Sequence, residues 1–183
     1  MIVRKVILYI AMSLDGYITD QHGRIDWLHG DNPTDEKTES YHHLLKHVDS
    51  VIMSETAFRM IEKRVNQYWI HQGLKIYVLS SLTQLSSDHV IVTSEDICSL
   101  VQKKQDSGKD IWICGGQQLI TPLIQANMID EYHISIIPIL LGSGISLFHT
   151  GFSTIPLQLV ESHENNGILD TIYIRRKETD INE

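Results

Sequence analysis

The chain has 183 residues, of which 42% are hydrophobic and 21% are charged, as is typical of a soluble globular protein. Its formal net charge of −8 argues against a general binder of nucleic acids or anionic membranes. The apolar run at 6–12 is too short to span a membrane, and Cys98 and Cys114 have no metal-binding spacing. We expect a cytoplasmic protein without a metal site, with one domain over 1–177 and a frayed tail at 178–183.

The first half of the chain alternates between strand and helix patterns. Apolar runs predict strands at 3–12, 49–53, 75–80 and 89–93. Helical spacing predicts helices at 35–48 and 54–65, and a third that is capped by Ser94-Glu95-Asp96 and runs to about 105. Ser54 is the predicted N-cap of the second helix. A turn at Asp15-Gly16 and a short extended piece at 17–19 precede a polar loop around Trp27. Trp27 either anchors this loop or forms the wall of a pocket.

Two adjacent glycines, Gly115 and Gly116, separate the apolar run Ile111–Cys114 from a segment with helical spacing. The pattern predicts a strand, a tight turn and a helix. Glycine allows close approach of the backbone, and a helix N-terminus offers unpaired N–H groups to an anion. The two glycines alone fit an ordinary turn equally well.

The last third of the chain predicts a strand at 131–138, a glycine turn at 142–144 and a hairpin formed by 157–163 and 169–176. The whole pattern predicts an α/β fold, a three-layer α/β/α domain with a mostly parallel sheet and a C-terminal antiparallel hairpin. Apolar residues in the C-terminal strands and at 148–152 predict a homodimer surface.

Parallel strands would bring their carboxyl ends to one edge of the sheet. Ser54, Ser80-Ser81 and Gly115-Gly116 all follow predicted strands. They would line a crevice suited to a nucleotide with several phosphates. The chain has neither the Rossmann glycine fingerprint nor the lysine of a P-loop.

The order of these features resembles the dihydrofolate reductase-like family, in particular the bacterial branch of the riboflavin biosynthesis protein's C-terminal reductase domain. The resemblance rests on 12–18, 77–80, 113–116, 119–124, 129–131, 137–144 and 147–148, and it covers about residues 3–177. It implies a reductase that transfers hydride from NADPH, or alternatively NADH, to a pyrimidinone or pterin-like heterocycle. 5-Amino-6-(5-phosphoribosylamino)uracil reductase is the similar activity. The alternatives are a nucleotide-binding member with weakened or no catalysis and a true dihydrofolate reductase.

The resemblance also implies which residues form the site. The cofactor would be bound by Ala11, Asp15, Gly16, Ile18, Ser54, Thr56, Leu79, Ser80, Ser81, Gly115, Gly116, Gln117 and Leu119. The substrate would be bound by Trp27, Asp31, Ile137, Pro138 and Leu140. The catalytic acid would be Asp35, with Asp31 and Glu36 as the other candidates.

Two positions depart from the family pattern. Relatives usually have Gly-Arg-x-Thr where this chain has Ser54-Glu55-Thr56-Ala57, and they often have an arginine where it has Ser81. Both usual partners of the NADPH 2′-phosphate are therefore missing. Either a cation of the second helix (Arg59, Lys63 or Arg64) compensates, or the cofactor is NADH, or binding is weakened. Glu55 also suits the first turn of a helix without any ligand.

Overall fold

The computed structural model describes residues 4–32, 39–64, 73–81, 89–104 and 107–176. Four helices lie in these ranges: α1 (Glu39–His47), α2 (Glu55–Arg64), α3 (Ile97–Lys104) and α4 (Gln117–Gln125). The strands there are β1 (Val6–Ser13), β2 (Tyr17–Asp20), β3 (Val48–Ser54), β4 (Lys75–Leu79), β5 (Val90–Thr93), β6 (Asp110–Gly115), β7 (Glu131–Ile137), β8 (Gly144–Ser146), β9 (Leu157–Asn165) and β10 (Ile168–Arg175).

Eight strands form one sheet in the order β5-β4-β3-β6-β1-β7-β10-β9. The first six run parallel, and β10 pairs antiparallel with both β7 and β9. The predicted mostly parallel sheet with a C-terminal antiparallel hairpin is confirmed. The carboxyl ends of six strands and the β9–β10 turn consequently lie along the same edge.

Successive side chains along the buried strands point alternately to the two faces of the sheet, and two helices pack on each face. On β1, Val6 and Leu8 pack in the cluster that contains α3 and α4. Ile7 between them packs in the cluster that contains Leu44 of α1 and Phe58 of α2. Since successive strand residues point to opposite faces, each strand supplies both layers of the core. The predicted three-layer arrangement is therefore present.

A second, two-stranded sheet pairs β2 with β8. The glycine-rich turn gave no strand signal at 144–146, because three residues are too few to show an alternation. Helix α3 begins at Ile97, directly after the predicted capping segment 94–96. Asp96 caps it by accepting a hydrogen bond from the Ser99 amide at 3.0 Å, so the predicted cap is confirmed. The predicted start of α1 at Asp35 and the predicted tail at 178–183 lie outside the described residues. In the described segments, no helix has the length and apolarity needed to cross a membrane.

Candidate functional site

The parallel register brings the predicted strand ends together at the carboxyl edge of the sheet. Ser54 pairs with Leu79, so that Ser80 follows directly beside it, and Met53 pairs with Gly115 across a bulge. Ser54 caps α2, since its Oγ accepts a hydrogen bond from the Ala57 amide at 3.2 Å. The ends of β3, β4 and β6 thus form one continuous edge.

Gly115 and Gly116 form a tight passage between β6 and α4. Both have positive φ, 130° and 29°. A Cβ on Gly116 would lie 2.6 Å from the Ser54 Oγ, a distance that real Cβ atoms do not tolerate. Helix α4 has Gly116 at its N-cap and no side-chain cap. Its first amides are available at a place where only a glycine backbone fits, which suits a pyrophosphate.

Glu55 is held in place by two neighbours. Its carboxylate accepts hydrogen bonds from Arg59 Nε at 2.8 Å and from the Ser80 hydroxyl. The Ser80 bond and the Arg59 bond keep the pKa of Glu55 below its usual range. A fixed negative charge, partly balanced by Arg59, therefore stands between α2 and the end of β4.

Asp15 links the turn after β1 to the loop after β7. Its carboxylate accepts the Ser13 hydroxyl at 2.6 Å and the amides of Leu141 and Gly142 at 3.1 and 2.7 Å. These bonds, led by the Ser13 hydroxyl, lower the pKa of Asp15. Gly16 adds a further link, because its carbonyl accepts the Leu147 amide at 2.9 Å. The turn after β1 and the loop after β7 are thus held together at the carboxyl edge.

The other predicted cofactor residues differ in what their side chains do. Leu119 lies in the hydrophobic core, and Ile18 and Leu79 pack against that core. Only the backbone groups of these three residues could therefore contact a cofactor at the strand edge. The Gln117 side chain donates to the Ser146 carbonyl at 2.9 Å and ties α4 to β8. Thr56 and Ser81 are exposed, whereas Ala11 is half-buried near the end of β1.

Among the predicted substrate residues, Trp27 is an anchor. It is only 8% exposed, and it packs with Ile137 and Ile168 over the ends of β7 and β10. Asp31 is exposed, and its amide donates to the Asn166 carbonyl at 2.9 Å in the hairpin turn. Pro138 and Leu140 are exposed at the same edge. Asp35 and Glu36 lie outside the described residues.

A cavity of about 440 Å³ lies between α1 and the half of the sheet formed by β1, β7, β10 and β9. Its floor consists of two rows of residues that are paired across four strands. The first row is Tyr9, His133, Ile172 and Glu161, and the second is Ala11, Ser135, Asp170 and His163. All but Ala11 line the cavity, and α1 adds Ser40, His42, His43 and Lys46.

This polar floor was not among the residues that the sequence indicated. In the sequence, the only indication of this floor is that polar residues alternate with apolar ones on β7 and β10, as at His133, Ser135 and Asp170. A strand exposed to solvent on one face shows the same alternation. Only the strand order places these residues opposite α1.

Two contact sets shape the floor. Tyr9 meets Trp112 and Tyr41 at ring-centroid distances of 5.9 and 6.3 Å, which fixes α1 over β1. Burial raises the pKa of Tyr41 to about 12. On β7, Glu131 contacts His133 Nε2 at 2.8 Å and Lys5 Nζ at 2.7 Å. The His133 hydrogen bond, with help from Lys5, lowers the pKa of Glu131 to about 2.

The chain matches the family model of the RibD C-terminal domain over residues 4–167. It is 33% identical over 174 residues to the uncharacterized protein YwjB of Bacillus subtilis (strain 168), covering 94% of this chain and 98% of that protein.

Three solved structures have a similar fold. A candidate riboflavin biosynthesis protein from Shewanella sp. PV-4 has a TM-score of 0.77 and 27% identity, with 94% of this chain and 99% of that chain covered. A diaminohydroxyphosphoribosylaminopyrimidine deaminase/5-amino-6-(5-phosphoribosylamino)uracil reductase from Thermotoga maritima has a TM-score of 0.70 and 14% identity, covering 95% and 57%. Dihydrofolate reductase from Enterococcus faecalis, complexed with NADP(H), has a TM-score of 0.67 and 15% identity, covering 94% and 97%. The predicted dihydrofolate reductase-like fold is confirmed.

Proposed function

The chain belongs to the RibD C-terminal domain family, and from this premise we propose that it is a reductase of a flat nitrogen heterocycle. The hydride donor is NADPH, with NADH as the alternative, and the acceptor is a pyrimidinone or pterin-like ring. One observation carries the proposal: the glycine-lined strand edge and the polar cavity lie on either side of β1, because β6 pairs with β1 on one side and Ser135 of the cavity floor pairs with Ala11 on the other. A dinucleotide on that edge and a ring in that cavity would therefore be neighbours.

The residues of the edge have distinct roles in this proposal. Gly115 and Gly116, with the first amides of α4, bind the pyrophosphate. Ser80 and Thr56 contact the adenosine half, and the turn held by Asp15 borders the nicotinamide. The bound cofactor supplies the hydride, and the protein supplies orientation and electrostatics.

The cavity supplies the second half of the site. Hydroxyl groups of Tyr9 and Ser135 and the carboxylate of Asp170 line it, beneath the histidines of α1. Such a mixture of flat apolar surface and a few polar groups suits a nitrogen heterocycle. The proton comes from water or from a carboxylate, for which Asp35 stays a prediction.

Thermal unfolding with and without cofactor tests the proposal. A ligand at one hundred times its dissociation constant adds about 2.7 kcal/mol to the free energy of unfolding, so that millimolar NADPH or NADH should raise the melting temperature clearly. Oxidation of the bound cofactor by pyrimidinones and pterins then tests catalysis. No shift with either cofactor would remove the reductase proposal. A shift without oxidation by any heterocycle would favour the nucleotide-binding alternative.

We also propose that the chain forms a homodimer in the cytoplasm. Three large apolar side chains on β9 and β10 are 39–56% exposed: Leu159, Val160 and Leu169. Their exposure supports a surface between two copies of the chain. The two cysteines are unpaired thiols, in keeping with a reducing compartment.

A further inference from the structure

A second pocket lies at the amino edge of the sheet, where β3 and β4 begin, beside the end of α3. Its volume of about 310 Å³ is that of a small-molecule site. Lys75 begins β4 and Leu79 ends it, so the length of a strand separates this pocket from the carboxyl edge. Four cationic side chains line this basic pocket: Arg4, Lys75, Lys103 and Lys104.

Arg4 forms the base of the basic pocket, and its charge is already balanced. It is 5% exposed and pairs with Asp49. Its guanidinium also donates to Ser50 Oγ at 3.0 Å and to the carbonyls of Lys104 and Ser107 at 2.8 and 3.1 Å. Among the described residues that line the pocket, Asp49 is the only carboxylate. The charges of the three lysines are therefore not balanced from the base.

The lysines reach the basic pocket from two different elements. Lys75 lies two residues before Tyr77 on β4, on the same face of the sheet. From α3, Lys104 places its Nζ 4.8 Å from the centroid of the Tyr77 ring, and Lys103 pairs with Glu95. None of the ion pairs in the described ranges includes Lys75 or Lys104. Two ammonium groups thus line one pocket without a carboxylate partner in that part of the chain.

The helix dipole accounts for only part of this arrangement. Lys103 and Lys104 lie in the last turn of α3, where cations suit the negative end of the dipole. Lys75 lies on a strand, so the dipole gives no reason for its position. Because like charges repel, lysines that converge from two elements favour an anion between them. The formal net charge of the chain is −8, so this positive region is a local property.

The side chains of the pocket indicate which anion it suits. A lysine ammonium is a compact point charge with three donors on a flexible stem, and it is a common ligand of phosphate groups. The planar fork of Arg4, which would match a carboxylate, is occupied by Asp49, Ser50 and backbone carbonyls. A compact anion with more than one negative charge therefore fits better than a single carboxylate.

We propose that the basic pocket is a second ligand site, which binds a small phosphorylated anion through the ammonium groups of Lys75 and Lys104. Lys103 adds positive charge beside them, and Arg4 holds the base of the pocket in place. The site lies at the opposite edge of the sheet from the proposed cofactor, so this inference does not depend on the reductase function.

Calorimetric titration with inorganic pyrophosphate tests the proposal on the unaltered protein. The titration is done at low salt and with NADPH or NADH in excess, so that the proposed cofactor edge is occupied. Pyrophosphate should bind at least about tenfold more tightly than acetate, which has a single charge. Equal binding of the two anions, or loss of pyrophosphate binding when the cofactor is added, would overturn the proposal.

Variants then locate the anion. Lys75→Gln and Lys104→Gln should each weaken pyrophosphate binding about tenfold, because each removes a charge-assisted hydrogen bond. Lys75→Arg retains the charge and should retain most of the affinity. Lys63→Gln changes an exposed lysine of α2, which packs on the opposite face of the sheet, and it should have no effect. Unchanged affinity in both Lys75→Gln and Lys104→Gln would contradict the proposal.

Cofactor titration of the same variants separates this inference from the proposed function. NADPH or NADH should bind Lys75→Gln and Lys104→Gln as tightly as wild type. If a cofactor binds and pyrophosphate does not, only the basic pocket fails. If neither cofactor binds and the two variants weaken pyrophosphate binding, the reductase proposal fails and the basic pocket remains.

Discussion

Gly116 occupies a position in the proposed nucleotide site that only glycine fits. With φ near 29° and a Cβ position 2.6 Å from Ser54 Oγ, no larger residue is accommodated without a shift. Because Gly116 has no side chain and α4 has no side-chain cap, the first amides of α4 are accessible at the strand edge. The demand on this position is therefore both conformational and spatial.

Gly116→Ala should weaken binding of NADPH by about tenfold or more, because the added methyl group displaces Ser54 or the turn. The matched control is Gly23→Ala, at a glycine with φ 72° and no atom within 4 Å of its Cβ position. The control shares the backbone strain without the crowding. Fluorescence titration with NADPH compares the two, and equal losses would show that the contact with Ser54 is irrelevant.

Glu55 is the residue that departs most from the family pattern, and its contacts explain how the charge is tolerated. Arg59 and Ser80 satisfy the carboxylate, and its lowered pKa keeps it ionised at neutral pH. A 2′-phosphate close to Glu55 would still meet a negative charge, whereas the hydroxyl of NADH would not.

Glu55→Gln should therefore raise the affinity for NADPH by about tenfold and change that for NADH much less. Glu62→Gln on the same helix alters an exposed carboxylate and is the control. Dissociation constants for both cofactors, measured at low salt to limit screening, provide the test. Parallel changes in both constants would exclude Glu55 as a selectivity residue.

At the scale of elements, β7 has two functions. It is the last strand of the parallel set and the partner of the C-terminal hairpin. Its inward residues on one face complete the core, whereas His133 and Ser135 on the other face form the cavity floor. Glu131 at its start binds both His133 and Lys5, and it thereby fixes the beginning of the strand to β1.

Glu131→Gln should lower the free energy of unfolding at neutral pH by about 1–2 kcal/mol, allowing for solvent screening. The pKa of Glu131 falls from 4.5 to about 2 on folding. Its contribution is thus complete above pH 4.5 and is lost as the pH falls towards 2. Urea unfolding at pH 7 and pH 3 measures the difference between variant and wild type, with Glu62→Gln as control. A difference of the same size at both pH values would contradict this assignment.

At the scale of the whole molecule, one sheet provides both parts of the proposed site. The carboxyl ends of β3, β4 and β6 form the edge proposed for the nucleotide, and β1, β7, β10 and β9 form the face proposed for the ring. Strand β9 ends the eight-stranded sheet on one side, and among the residues that the structure describes it pairs only with β10; its Val160 is 56% exposed. Exposed edges of this kind commonly pair or are covered.

Light scattering at micromolar concentration should give twice the mass of one chain. Val160→Lys should give the mass of one chain, because a buried lysine in an apolar interface is unfavourable. Leu14→Lys places the same change at a residue that is 64% exposed in the turn after β1, a strand that β7 and β10 separate from β9, and it should leave the dimer intact. A wild-type protein with the mass of one chain would remove the homodimer from the proposal.

The placement of the strand-end residues along one edge of the sheet could be predicted, because it depends on local patterns. Ser54, Ser80 and Gly115-Gly116 each follow an apolar run, and a parallel sheet aligns whatever follows its strands. No long-range register is needed to place them on one edge. The predicted N-cap role of Ser54 is local in the same way, and it is confirmed by the hydrogen bond from Ala57.

The cavity floor could not be predicted in this manner. Ser135 and Asp170 are 35 residues apart, and each lies in an ordinary alternating strand. Their contact depends on the register of β7 against β10, and a shift of one residue would move each side chain to the other face. The sequence allows Trp27 to be either an anchor or a pocket wall, and its packing against Ile137 and Ile168 identifies it as an anchor.

By itself, the sequence determined the order of strands and helices apart from β8, the residues at the ends of the parallel strands and hence the edge proposed for a nucleotide. These properties follow from periodicity and turn chemistry within a few residues. Only the tertiary structure decided which polar residues meet beneath α1, how Glu55 is held and where the buried carboxylate of Asp170 lies. Those depend on the pairing of distant strands, and the interactions that select the pairing are spread over the whole core.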